Sequence, residues 1–137
     1  ADTLGGVDFA YLARNARIDA AAAATVALAP SAPDVSGERG PMLGRGASGY
    51  DAAMRWKPSA GAAGYRVVWR EAWTPDWQHE VYVPGGDVTS YTLPDLSIDD
   101  YFFGVAAVDA DGHESLVTPY VRPPRARSDI RLQGGER

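Results

Sequence analysis

Residues 64–70, GYRVVWR, constrain the fold more than any other stretch of the chain. Read alternately, Tyr65, Val67 and Trp69 share one face, and Arg66, Val68 and Arg70 share the other. A period of two marks a strand with one face buried. Residues 101–109 (YFFGVAAVD) repeat the pattern with Tyr101, Phe103, Val105 and Ala107 on one face, and residues 52–56 align Ala52, Met54 and Trp56. Strands with single apolar faces must cover one another, and two sheets packed face to face do so most economically. The expected fold is mainly β: a sandwich, with a helix ahead of it.

That helix is read over residues 9–29. Asp8 stands where an N-cap carboxylate would accept first-turn N–H groups, and Pro30 forbids continuation. Phe9, Leu12, Ala16 and Ala20 follow steps of three and four residues, an apolar stripe built mostly of alanine. The stripe is expected to be covered by the chain's own sandwich, by a second copy, or by another domain. Residues 30–33 (PSAP) read as a linker. Charge sorts with this division. Residues 1–30 carry two arginines against three aspartates, 31–122 seven basic against thirteen acidic groups, and 123–137 four arginines against two acids. The reading is a terminal loop and helix at 1–30, a sandwich at 31–122 and a basic tail at 123–137 that is expected to be disordered.

Within the sandwich, short strands are expected at 34–36, 52–56, 64–72, 80–83, 90–93, 101–109 and 116–121, with turns every eight to twelve residues. Residues 37–49, with five glycines and a proline, read as a loop. Asp111-Gly112 signals a tight turn, and Pro119 an edge position or a bulge.

The set Trp56, Tyr65-x-Val67-x-Trp69, Tyr91-Thr92-Leu93-Pro94-x-Leu96, Tyr101-x-Phe103-x-Val105-x-Ala107 and Asp111-Gly112 resembles a fibronectin type III domain over about residues 31–122. The resemblance implies a fibronectin type III-like, immunoglobulin-like β-sandwich with Trp56, Tyr65, Trp69, Leu96 and Tyr101 in its core. It also implies a tyrosine corner at Tyr101, whose hydroxyl would bond upstream backbone. The front end, ADTLGGVDFAYLARNARIDAAAAATVALA, resembles the last loop and terminal helix of secreted co-catalytic zinc aminopeptidases, some of which carry a fibronectin-like domain afterwards. On that resemblance Asp2 and Thr3 are remnants of the parent's metal-site loop, the zinc-binding histidine lies upstream of Ala1, and the chain is a C-terminal fragment. The implied partner is the parent's catalytic domain, with self-association through the helix as a further option. The implied location is extracellular or periplasmic.

The residues themselves offer no self-contained reaction centre. His79 and His113 fall on separate loops or strand ends and there is no cysteine, so no zinc site or other cofactor is expected in this chain; zinc would belong to the parent. Residues 109–114 (DADGHE) begin like a calcium loop but lack its distal glutamate and flanking helices, and read as a hairpin turn. Asp99 and Asp100, being adjacent, cannot face each other as an acid–base dyad. A net charge of −5 argues against nucleic acid, and no apolar run approaches the ~20 residues of a membrane span. The expectation is a non-catalytic accessory region. The alternative is a module that binds glycan or protein through Trp73, Trp77 and Tyr82, aromatics in or beside a Thr-Pro-Asp loop, unless the loop tryptophans instead lid the sandwich or fold over Arg66 and Arg70.

Overall fold

A computed structural model describes residues 6–121. Helix α1, Phe9–Leu28, begins at Asp8, whose Oδ1 accepts from Tyr11 N at 3.0 Å. Its alanine-rich interior favours the helix, and it ends where Ala29 turns extended (ψ 151°) ahead of Pro30. No residue of α1 is buried. The expected cover from the chain's own sandwich is therefore not made.

Nine strands follow: β1 Ser36–Gly37, β2 Gly40–Pro41, β3 Leu43–Arg45, β4 Ala52–Arg55, β5 Gly64–Glu71, β6 His79–Pro84, β7 Ser90–Leu93, β8 Tyr101–Val108 and β9 Thr118–Pro119. β1 and β2 form a small hairpin; the others build a three-stranded sheet, β3-β4-β7, and a four-stranded sheet, β6-β5-β8-β9, all antiparallel. Two such sheets closing one core make a fibronectin type III-like β-sandwich. The core is the predicted set of alternate residues: Ala52, Met54 and Trp56 from β4 and its end, Tyr65 and Val67 from β5, Phe103, Val105 and Ala107 from β8, with Val35, Val83, Leu93 and Tyr120.

Three expectations need correction. Residues 37–49 are not all loop, since β2 and β3 lie within them. Both are peripheral strands that need only one ladder each, so Pro41's missing N–H and the glycines cost little there, while Leu43 packs on the core. The return strand at 116–121 shortens to β9, paired through Gly104↔Pro119 and Val105↔Thr118, with Pro119 at the sheet edge. The tyrosine corner is not at Tyr101, which is half-buried and donates to no described residue. Tyr65, fully buried, does the equivalent work: its hydroxyl accepts from Ser59 N and donates to Gly86 O, both at 2.9 Å, joining the loops on either side. Tyr120 adds a second such bond, to Arg55 O at 2.9 Å.

The registers also fix the two ends of the sandwich. Gly64 pairs with Pro84 and Val108, and Asp34 bridges Lys57 beyond the end of β4. Those positions define a near pole, where the linker from α1 enters. Glu71 pairs with Tyr101, Trp69 with His79, and Ala52 with Leu93, which defines the far pole.

Candidate binding face

The outer face of the four-stranded sheet departs from simple alternation. Arg66 and Arg70 point outward as expected, yet Val68 between them is fully buried, as are Gly104 and Ala106 beside it on β8. Two outward glycines explain the cover. A side chain at Gly104 would meet the Trp77 ring at 3.1 Å and Val117 Cγ1 at 2.5 Å, so the glycine makes the seat on which Trp77 lies. Gly64 does the same for the Tyr82 ring. Loop 72–78 thus folds back on its own sheet. It is fixed by Arg70, whose guanidinium stands 5.6 Å from the Trp77 ring centre and 4.7 Å from that of Phe102 and donates to Thr74 O. Cation–aromatic contacts of this kind contribute roughly 0.5–2 kcal/mol according to exposure.

The sequence therefore groups Trp73, Trp77 and Tyr82, and the structure separates them. Trp77 is committed to Gly104 and Arg70, Tyr82 leans over Gly64 while staying half in solvent, and Trp73 is 75 % exposed at the far pole. For Trp77, folding over Arg70 is the arrangement that the sequence left open beside ligand binding; Phe102 was not among the sequence candidates, and the available signal was a glycine at an outward position opposite Val68 on the neighbouring strand. Next to this cluster Arg66 forks onto both oxygens of Glu114 through Nε (2.9 Å each) and reaches Glu80 at 2.8 Å. Glu114 foremost, against the opposing effect of burial, raises Arg66 above its ordinary value and keeps it charged. Among the described residues, the charges of Arg66, Glu80 and Glu114 are satisfied by one another.

Of the remaining site candidates, Asp2 and Thr3 lie outside the described residues. Trp56 is buried against Tyr65, with ring centres 5.1 Å apart, and its Nε1 has no partner among the described residues. Trp69, Leu96 and Tyr101 are half-buried, packed on the rim of the core. Asp99 pairs with Arg45 at 2.5 Å on an open surface, while Asp100 is held through its backbone, whose N–H donates to Ser97 O and whose carbonyl accepts from Ala72 N.

His79 stacks on Trp69 at the far pole (5.3 Å, 23°), and His113 sits at the near pole, so the two imidazoles cannot share an ion. Asp109, Asp111 and His113 hold ligand atoms within 4.8 Å of one another. The Asp109 carboxylate is already used: Oδ1 accepts from Asp111 N and His113 N, and Oδ2 meets His113 Nδ1 at 2.8 Å. Burial pushes Asp109 up, but the His113 side chain and the two backbone donors together hold it below its ordinary value. This is the hairpin turn read from the sequence, with Gly112 in the left-handed region (φ 86°). A catalytic zinc needs three protein ligands and an open position; the donors here do not fit one. An open cleft of ≈ 690 Å³ beside β1 and β2 is lined by Glu38, Arg39, Met42, Leu43, Arg55 and Tyr120 with the glycines and proline of the hairpin.

No family model matches the chain. In sequence it is 38 % identical over 117 residues to a protein of Pyricularia oryzae named probable zinc metalloprotease, covering 82 % of this chain and 22 % of that one. Proteins of the same name from Pyrenophora teres f. teres and Leptosphaeria maculans are 31 % and 32 % identical, covering 83 % and 89 % of this chain and 24 % and 26 % of theirs. The chain thus spans about a quarter, or less, of the length of the curated relatives it matches. Among solved structures it is similar to a fibronectin type III domain of human collagen XX, at 23 % identity and a TM-score of 0.45, covering 69 % of this chain and 90 % of that domain.

Proposed function

We propose that this chain is the non-catalytic C-terminal accessory region of an exported, zinc-dependent aminopeptidase, and that it positions or shapes access to a catalytic body rather than reacting itself. The observation that carries the reading is α1. Phe9 and Leu12 lie on one side of it, Tyr11 and Ile18 close to the opposite side at ~100° per residue, and all four are more than half exposed. A helix apolar on opposite sides belongs inside a larger protein. The similarity to proteins named probable zinc metalloprotease, most of whose length lies beyond this match, supplies a body of that size. The resemblance of Asp2-Thr3-Leu4 to the aminopeptidase loop supports the finer assignment, with Asp2 and Thr3 beside a metal centre whose ligands other polypeptide provides. There a zinc-activated water would hydrolyse N-terminal peptide bonds.

Assay of the intact polypeptide on aminoacyl anilides, before and after chelation, tests this. Activity lost on chelation and restored by zinc is expected, together with no turnover by residues 1–137 alone plus zinc. Turnover by this chain alone, or an intact protein inactive on free N-termini, overturns it. The alternative, a glycan- or protein-binding aromatic loop, is weakened because Trp77 is already seated on its own sheet.

A further inference from the structure

Resting on that accessory-region reading, we infer that the near pole of the sandwich is the surface turned toward the catalytic body, and that the far pole, with Trp73, points away from it. The first ground is the linker. Between the end of α1 and the sandwich stand residues 29–33, with prolines at 30 and 33, and an extended proline-rich segment of this length spans only about 15 Å. Pro33 is fully buried in the sandwich. The next residue, Asp34, is tied by three bonds: its carbonyl accepts from Lys57 N at 2.8 Å, its Oδ2 meets Lys57 Nζ at 2.6 Å, and its Oδ1 accepts from Ser36 N at 2.8 Å. A stiff tether clamped at its far end cannot swing the sandwich around. Whatever covers α1 therefore lies next to the pole at which the tether enters.

The second ground is the construction of that pole. Loops 57–63 and 85–89 and the turn at 109–113 meet there, since Gly85 N donates to Ala63 O (2.9 Å) and Ala63 N to Val108 O (2.7 Å). The Tyr65 hydroxyl clamps Ser59 to Gly86, and Gly86 lies so close to Ala62 O that no side chain fits between the loops. A surface already ordered loses little entropy on docking. It carries the exposed carboxylates Asp87 and Asp111, while Lys57 is taken by Asp34. The far pole lies one eight-residue strand away, about 26 Å at ~3.3 Å per residue, beyond reach of the same contact.

Hydrogen exchange, compared between residues 1–137 and the intact polypeptide, separates this inference from the reading beneath it. The expected result is strong protection of the α1 amides in the intact protein, with exchange slowed about tenfold or more in loops 57–63 and 85–89 and unchanged in residues 72–78. Protected α1 with an unchanged near pole, or with the far pole slowed as much, overturns the inference and leaves the accessory reading standing. An α1 that exchanges equally fast in both proteins removes both. Because residues 1–137 hold no cysteine, Asp87→Cys and Asp76→Cys each place one thiol in this region, and its modification is followed in both proteins on the peptide that carries it. Maleimide should modify Asp87→Cys at least about tenfold more slowly in the intact protein than in residues 1–137, and Asp76→Cys at equal rates in both. Equal rates at Asp87→Cys also overturn the inference.

Discussion

Replacing Tyr65 by Phe removes one oxygen and keeps the ring against Trp56. That oxygen makes two hydrogen bonds, to Ser59 N and Gly86 O, each 2.9 Å and partly buried. At about 0.5–1.5 kcal/mol apiece, and with both loop groups half shielded from water, the expected loss is about 2 kcal/mol. For a domain the size of residues 34–121, with roughly 5 °C per kcal/mol, the melting temperature should fall by about 10 °C. Tyr101→Phe is the control. Its hydroxyl meets no described partner, so the loss should stay within about 0.5 kcal/mol. All four tryptophans lie in the sandwich and none in α1, so tryptophan emission during thermal or urea unfolding reads the sandwich separately from the helix. A Tyr101→Phe loss equal to or above that of Tyr65→Phe would refute the assignment of the clamp and restore the corner position that the sequence suggests.

Gly104→Ala should cost about 1–3 kcal/mol, since the new methyl overpacks against Trp77 and Val117, whereas Gly64→Ala meets only the free end of Tyr82 and should cost less; urea midpoints of the two variants check the order. Glu114→Gln should lower stability by about 1–2 kcal/mol by weakening the fork to a partly buried Arg66, and Arg45→Gln, at an open pair, by under about 0.5 kcal/mol. Lys57, with help from Ser36, holds Asp34 at about 2 against an ordinary 3.8, so the stabilisation it gives is complete above pH 4 and is lost as pH falls from there towards 2; the urea midpoint of Asp34→Asn should decline less over that window than that of the parent chain. Trp77→Ala should destabilise the sandwich and Trp73→Ala should not, and equal losses in thermal unfolding would contradict the seat on Gly104.

The strands that form the core were legible because each has one apolar face, and a period of two survives in any context. Ala52, Met54, Trp56, Tyr65, Val67, Phe103 and Val105 could all be read that way. The Asp8 cap was legible because capping is local. β2 and β3 were not, since glycine and proline argue against a ladder on both sides while an edge strand needs only one. The tyrosine clamp was misplaced because position in a motif says where a ring packs, whereas the hydroxyl bonds whichever loop comes near, and the approach of Gly86 to Ser59 is set by two loops distant in sequence. For the same reason no pattern announced that Trp77 would return to Gly104: the seat lies on β8 and the ring on the loop after β5.

Set side by side, the two halves of the chain are supported differently. The sandwich is closed on itself, with its core apolar, Arg66 and Arg70 matched to glutamates and rings, and its loops bonded to one another. Helix α1 has a capping aspartate but no acidic residue in its first turn, no basic residue in its last, and no buried side chain. Most helical stability in proteins comes from packing of an apolar face rather than from propensity, and α1 has no such packing here. Its exposed Phe9, Leu12, Ile18 and Leu28 add nothing to stability until another surface takes them out of solvent, at about 25 cal/mol per Å². The sandwich thus carries its own stabilisation, whereas no side chain of α1 is buried against it. On the accessory-region reading proposed above, a short proline-bound linker between them would convert burial of the helix into a fixed address for the domain that follows.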